Sequence, residues 1–343
     1  MNVRDVLKLR PRGREDAPAR AHLLELGREA LAGTRVLVTG AGGSIGSELS
    51  RAVARSPAAK LVLLDRDDSA LHALRLDLDA VGRGPELAYY LRDLCDEDEL
   101  IDVFQREKPQ VVLHAAALKH VPVLEENPSE AYRVNVLGTR AALSAAAQCG
   151  TDVFVNVSTD KASNPGSVLG LSKRLAECIT AHFSTVHEGR YVSVRFGNVL
   201  GSRGSFLPLF VDRIANGQPI AITHEEATRF LMTMDDAVEL VLLAIAEGRS
   251  GETLIADMGD PVRIIDIAHS LISQSGRGLP IEIVGLRPGD KLHEDYVDDS
   301  ESPAAESLST GSTKVRVTPV DPDLLGLDQF LKSVEELRGP VRG

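Results

Sequence analysis

The sequence predicts an α/β fold, a doubly wound parallel sheet with a smaller C-terminal lobe. Three observations predict it. Short uninterrupted apolar runs alternate with longer helical stretches between Arg35 and Phe196, the pattern of strands covered by helices on both faces. A glycine-rich turn follows the first apolar run. The length, 343 residues, allows one such domain and a lobe.

Taken in order, residues 1–32 form an N-terminal arm whose stretch 21–31 places Leu23, Leu24, Leu26 and Leu31 close to one helical face. That helix is expected to dock on the body or on a partner subunit. Strands are expected at 36–39, 61–64, 87–91, 111–114, 153–158 and 191–196, with helices at 46–55, 69–81, 97–108, 131–148 and 169–185. After Phe196 the alternation breaks into loops rich in Gly and Pro, resuming with a helix at 234–247 and a strand at 253–255. A dinucleotide domain over 33–259 is expected, with 197–229 contributing to the lobe. The lobe itself is placed at 260–343, ending in a helix at 323–337.

Composition narrows the class. There are 38 basic and 50 acidic side chains, a net charge of −12, which disfavours nucleic-acid binding. No run approaches 18 apolar residues, so no membrane segment is expected, and the first 20 residues lack the apolar core of a signal peptide. Three scattered cysteines, Cys95, Cys149 and Cys178, suit a reducing cytoplasm. No metal site is expected, because neither H-E-x-x-H nor a carboxylate cluster at ligand spacing occurs.

The turn Gly40-Ala-Gly-Gly43-Ser44-Ile45-Gly46 lies between a strand and a helix start. Glycine lets backbone turn sharply and approach a pyrophosphate, and the helix N-terminus supplies amide donors. Asp65 ends the next strand, 19 residues beyond Gly46. A carboxylate there binds a ribose 2′-hydroxyl and repels a 2′-phosphate, favouring NAD. Arg66 beside it keeps NADP open as the alternative.

The spacing G-x-x-G-x-x-G resembles the extended short-chain dehydrogenase/reductases. The resemblance implies cofactor contacts at Asp93 and Leu94 after the third strand, at Ala115 and Ala116 after the fourth, and at Asn135. Lys173 takes the place of the lysine in the superfamily's Y-x-x-x-K, a ribose contact. The tyrosine position of that motif is Leu169, which cannot accept a proton.

Five further runs narrow the resemblance: 115–122, 158–162, 195–205, 228–233 and 287–291. In this order they resemble the polysaccharide-biosynthesis family of inverting nucleotide-sugar 4,6-dehydratases, whose known members act on UDP-N-acetylglucosamine. The match spans about 35–300. Many members carry membrane helices and an extra domain before this region, where this chain has its arm.

The resemblance implies that C4 of the sugar is oxidised by NAD, which makes the C5 proton acidic. A base then removes that proton, an acid protonates the departing 6-hydroxyl, and hydride returns to C6. Lys161 is implied as the C5 base and Asp160 as the acid, with Thr159 relaying the C4 proton. A carboxylate neighbour raises a lysine's pKa whereas a base at neutral pH needs it lowered, so this assignment carries a tension. Arg229 and Arg287 suit a diphosphate through bidentate hydrogen bonding, as does Arg203, while Lys119, His120 and Asn198 are placed at the sugar. The competing readings are an NDP-sugar epimerase or other sugar-modifying dehydrogenase, and a non-catalytic dinucleotide-binding module. Superfamily members commonly pair through two long helices, here 131–148 and 169–185, so at least a homodimer is expected.

Overall fold

Apolar runs of four to seven residues are too short for buried helices and become strands. In the computed structural model, which describes residues 17–80, 82, 84–256, 258–298, 301–303 and 313–338, these are β1 (Arg35–Thr39), β2 (Lys60–Asp65), β3 (Glu86–Leu91), β4 (Val111–His114), β5 (Val153–Thr159), β6 (Arg190–Phe196) and β7 (Glu252–Ile255). Two more, β8 (Ser302–Pro303) and β9 (Thr313–Arg316), complete one sheet in the order β8-β9-β7-β6-β5-β4-β1-β2-β3. From β7 to β3 every pairing is parallel, whereas β9 runs antiparallel to β7 and β8. The chain leaves β1 in one direction for β2 and β3, and later enters β4 on its other side. That reversal opens a crevice beyond the carboxyl ends of β1 and β4, where doubly wound sheets bind ligands.

The intervening helices are α1 (Ala17–Ala30), α2 (Ser44–Ala54), α3 (Asp68–Asp79), α4 (Glu97–Glu107), α5 (Val121–Glu126), α6 (Pro128–Ala131), α7 (Gly138–Gln148), α8 (Val168–Val186), α9 (Phe206–Ala215), α10 (Met234–Glu247), α11 (Ile264–Ser275) and α12 (Leu327–Arg338). The sheet has a core on each face. One is built on Val36, Val38, Leu61 and Leu63 with α2, α3 and α10; the other on Leu37, Val62, Val112 and Phe154 with α4, α7 and α8. Side chains of successive strand residues alternate between the faces, so all four β1 positions 36–39 are buried. The docked N-terminal helix is α1, which lies against α10. A Cβ on Gly27 would stand 2.6 Å from Leu242 Cβ, so the two helices meet closely there. Residues 1–16 of the arm lie outside the described residues.

Three elements differ from the sequence expectation. The expected helix 131–148 starts earlier and contains a π-helical turn, Tyr132–Leu137, between α6 and α7. The loop region after Phe196 contains α9, which buries Leu207, Phe210 and Ile214. Pro208 obscured it, although proline in a helix's first turn breaks no hydrogen bond. The lobe does not occupy all of 260–343. It has its own core, Leu207, Phe210, Ile220, Leu231, Ile267 and Leu271, drawn from both sides of α10. Strand 220–222 pairs with 281–283, and 228–229 with 262–263. The chain then returns to the main sheet as β8 and β9.

The last described segment runs across the two helices expected to pair subunits. Val320 N donates to Cys178 O on α8 (3.2 Å), and Tyr132 Oη donates to Leu325 O (2.5 Å). Phe330 and Val334 of α12 are buried in the α7–α8 core. Residues 320–325 thus cross part of that face, and α12 packs beside Pro128–Ala131. Among the described residues no helix is long and apolar enough to cross a membrane.

Candidate active site

The crevice is built first by glycine geometry. Gly40 has φ +63°, and a Cβ there would sit 2.6 Å from Ala116 Cα. A Cβ on Gly46 would stand 2.0 Å from Gly40 O. The turn is thus packed backbone against backbone, and it delivers α2 with no side-chain cap at Gly43. The first amides of α2, at Ser44, Ile45 and Gly46, lack intrahelical acceptors and open toward a cavity. Asp65, at the end of β2, accepts from Gly42 N (2.7 Å) and Asp67 N (3.0 Å). It therefore holds the glycine turn in addition to facing the crevice.

Asp65, Arg66, Asp93, Leu94, Ala115, Ala116, Gly40 and Gly43 line one cavity of about 240 Å³. Asp93 lies 3.7 Å from Arg66 and 3.8 Å from Arg133. Burial opposes its ionisation, but hydrogen bonds from Cys95 and the two guanidinium charges outweigh that and leave its pKa low. An adjoining cavity of about 610 Å³ is lined by Ser44, Ile45, Gly46, Lys119, His120, Ser158, Thr159, Lys161, Leu169, Lys173 and Asn198. Arg203 borders both. Its backbone N donates to Ser44 Oγ (3.0 Å) and its guanidinium to Gly42 O. A sequence-based substrate candidate thus lies against the cofactor turn.

The chemistry-bearing turn stands at the carboxyl end of β5. Thr159 Oγ1 donates to Asp160 Oδ1 (2.8 Å), and Lys161 Nζ donates to the same oxygen (3.0 Å). Lys161 Nζ also reaches Asn198 Oδ1 (3.3 Å) and Glu294 Oε1 (3.3 Å). Burial pulls the Lys161 pKa down, but Asp160 and Glu294 more than offset it, so the ammonium form is held. Lys173, on α8, is buried and lines the larger cavity. Burial pushes its pKa down to about 8 against the opposing pull of Glu177. Leu169 is 5% exposed and faces the same cavity, so the tyrosine position presents an aliphatic wall.

Asp160 is wholly buried and lines neither cavity, and three more sequence candidates lie away from both. Asn135 lines neither cavity. Its amide grips Leu118 N and O (2.8 and 3.0 Å) and Ser172 Oγ (3.0 Å). Its place in the π-helical turn makes it a brace for the crevice wall. Arg229 also lines neither: it donates to Thr228 O and Leu292 O and lies 3.8 Å from Glu294. Arg287 pairs with Asp290 (3.1 Å) and borders a separate cavity of about 730 Å³ beside α5 and α12. In each case a local acceptor engages part of a guanidinium or amide that the sequence could only show as available.

Sequence reasoning missed Ser158 and Glu294. Ser158 Oγ, Asp160 Oδ2 and Glu294 Oε2 are buried polar atoms without a protein partner. Glu294 lies three residues beyond the run 287–291, and a single glutamate in a loop has no spacing signal. His114, at the end of β4, is neutral and structural: its Nδ1 meets Thr39 Oγ1 (2.9 Å) and its Nε2 meets Thr139 Oγ1 (3.0 Å). Thr139 donates to Asn135 O, so it accepts from Nε2–H. Burial, with Lys173, drives the His114 pKa down to about 3.

Residues 36–314 match the model of a family described as polysaccharide biosynthesis protein. The chain belongs to this family. It is 40% identical over 312 residues to the probable polysaccharide biosynthesis protein EpsC of Bacillus subtilis, covering 89% of this chain and 51% of EpsC. It thus spans about half the length of that relative. It is 34% identical to a UDP-glucose 4-epimerase of Rickettsia canadensis, over 80% of each chain, and 30% identical to the inverting UDP-N-acetylglucosamine 4,6-dehydratase of Campylobacter jejuni, over 78% of each. Among solved structures, Pen from Bacillus thuringiensis superposes with a TM-score of 0.77 at 28% identity, covering 84% of this chain and 90% of that one. A dTDP-glucose 4,6-dehydratase of Streptomyces venezuelae, with NAD bound, does so at 0.69 and 25%, over 76% and 87%. The fold is that of the extended short-chain dehydrogenase/reductases.

Proposed function

We propose that this protein is an NAD-dependent 4,6-dehydratase of a nucleoside diphosphate sugar, with UDP-N-acetylglucosamine as the first substrate to test. The observation that carries the reading is the Thr159-Asp160-Lys161 turn. It sets a hydroxyl, a carboxylate and an amine within hydrogen-bond reach of one another beside a cavity contiguous with the dinucleotide crevice. The residues fit the cofactor: the glycine turn leaves no room for a Cβ, α2 opens uncapped, and Asp65 faces the crevice. When bound, the cofactor supplies hydride removal at C4 and hydride return at C6.

The chain's own residues handle the protons. Leu169 cannot take the 4-hydroxyl proton, so Thr159 relays it to Asp160 through the 2.8 Å hydrogen bond. Asp160 is wholly buried behind the cavity wall, so, once protonated, it returns the proton through Thr159 to the departing 6-hydroxyl. Lys161 takes the proton from C5, and its neutralised neighbour Asp160 then no longer stabilises the ammonium. Lys173, with a pKa near 8, supports the nicotinamide ribose. The expected oligomer, a homodimer or larger through the helices at 131–148 and 169–185, stands as part of this proposal.

The epimerase-named relatives support a second reading, 4-epimerisation. That reaction returns hydride to C4 of a turned sugar and leaves Asp160 and Lys161 without a C5 proton to move. Incubation in D₂O separates the two. A dehydratase loses water, places deuterium at C5 and carries the original C4 hydrogen to C6, all readable by mass spectrometry and NMR. Lys161→Ala should lower water loss by about 10²–10⁴-fold, the usual contribution of a general base, while cofactor binding persists. A product that keeps its C5 hydrogen and its water would put the epimerase reading ahead.

A further inference from the structure

Lys161 must shed a proton before it can take one from carbon, and the reading above, on which this inference rests, leaves that proton without a destination. Four side chains surround the Lys161 ammonium. Asp160 Oδ1 lies at 3.0 Å on its own turn, Asn198 Oδ1 at 3.3 Å from the short stretch 198–199 that follows β6, and Glu294 Oε1 at 3.3 Å from the segment after 281–283. Arg229, whose charge also bears on Lys161, lies 3.8 Å beyond Glu294. Asn198 cannot hold a proton at neutral pH, and Asp160 is already committed to the 4-hydroxyl proton.

We propose that Glu294 is the proton acceptor for Lys161, a positioning residue that delivers the lysine to the substrate as a free amine. The Glu294 side chain is 3% exposed, and its Oε2 is buried without a partner, so one oxygen faces the ammonium and the other is free to carry a proton.

The segment holding Glu294 is fastened to the catalytic turn on both sides. Lys291 Nζ donates to Ser163 O (3.3 Å), and Asn164 N donates to Asp298 Oδ2 (3.1 Å). Glu301, just beyond, accepts from the wholly buried Arg195 (2.6 and 2.7 Å), which also grips Glu177 on α8. Such anchoring fixes a carboxylate against Lys161 rather than leaving it as a solvated loop charge.

The proton balance closes. The 4-hydroxyl proton passes through Thr159 to Asp160, which removes one of the two negative charges on Lys161. One N–H proton of Lys161 then moves to Glu294, leaving a neutral amine and a neutral acid. The amine takes the C5 proton as the C6–O bond breaks, and the Asp160 proton leaves with the hydroxyl as water. Reprotonation at C5 and return of the Glu294 proton restore the starting charges.

An internal transfer from lysine to glutamate takes no proton from solvent and releases none, so it leaves the rate independent of pH. Without Glu294 the ammonium must lose its proton to water, and the rate follows hydroxide. The test measures water loss from UDP-N-acetylglucosamine against pH in wild type, Glu294→Gln and Glu294→Asp. Wild type should be flat across neutrality. Glu294→Gln should climb about tenfold per pH unit across neutrality, and Glu294→Asp should restore the flat profile. Parallel profiles in wild type and Glu294→Gln would overturn the proposal.

A second measurement needs no turnover: the ¹³Cε shift of Lys161, assigned with Lys161→Arg, titrated in both proteins. Its midpoint should be lower in Glu294→Gln, and an unmoved midpoint would overturn the coupling. A lowered midpoint in a protein whose wild type releases no water would instead sink the dehydratase reading.

Discussion

Gly46→Ala is a severe test of the cofactor turn, because local propensity and tertiary geometry predict opposite outcomes. Gly46 lies in the first turn of α2, where alanine favours helix by about 0.5–1 kcal/mol. The added Cβ, however, would stand 2.0 Å from Gly40 O, 2.8 Å from Gly40 C and 3.0 Å from Ala41 Cα. All three are backbone atoms, so no side chain can rotate away. Real Cβ atoms keep at least 3.0 Å, so the glycine turn must retreat by the missing 1.0 Å. Overpacking of this kind costs about 1–3 kcal/mol, so the propensity gain offsets only part of it in stability. The dinucleotide would lose its fit to the displaced turn. At about 1.4 kcal/mol per tenfold, NAD binding should weaken by about 10- to 100-fold in a protein that still folds. Calorimetric titration of cofactor-free protein with NAD, beside a thermal melt, reads both quantities. Unchanged affinity in folded Gly46→Ala would refute the claim that backbone contact at this turn shapes the cofactor site.

Two further outcomes are expected. His114 is held neutral when folded, with a pKa of about 3 against 6.5 when free. The unfolded chain binds the extra proton between these values, so folding stability should fall as pH drops from 6.5 toward 3, by up to about 1.4 kcal/mol per unit. His114→Gln should be less stable at pH 7 yet lose that slope in urea titrations at several pH values, and an identical slope would mean other groups cause it. Asp65→Asn should weaken discrimination against NADP, because the repelling charge goes while Oδ1 can still accept a backbone hydrogen bond. Comparing NAD and NADP affinities checks this, and a preference unchanged from wild type would relieve Asp65 of the role.

What the sequence determined by itself was whatever depends on neighbours along the chain. The strand–helix alternation identified six strands of the parallel sheet, since burial on both faces demands unbroken apolar runs such as Leu61–Leu64. The glycine turn, Asp65 and the Thr159-Asp160-Lys161 turn were legible for the same reason, as each is a local pattern at a strand end.

Tertiary structure alone decided which long-range partners those groups meet. Arg229 and Arg287 were guanidinium groups without partners in the sequence, and the fold gives each a local contact, Leu292 O and Asp290, outside the two crevice cavities. Asn135 is itself a cofactor contact by resemblance, yet in the fold its amide is engaged in bracing Leu118. Phe330 and Val334 of α12 are buried in the core beside Tyr132, a partner that no sequence signal named. Glu294 lies 133 positions from Lys161 in the chain, and the carboxylate–ammonium contact exists because the lobe's return to the sheet lays that segment over β5. A charge's chemistry depends on what surrounds it in space, and for Lys161 the fold brings one of those neighbours from the far end of the chain.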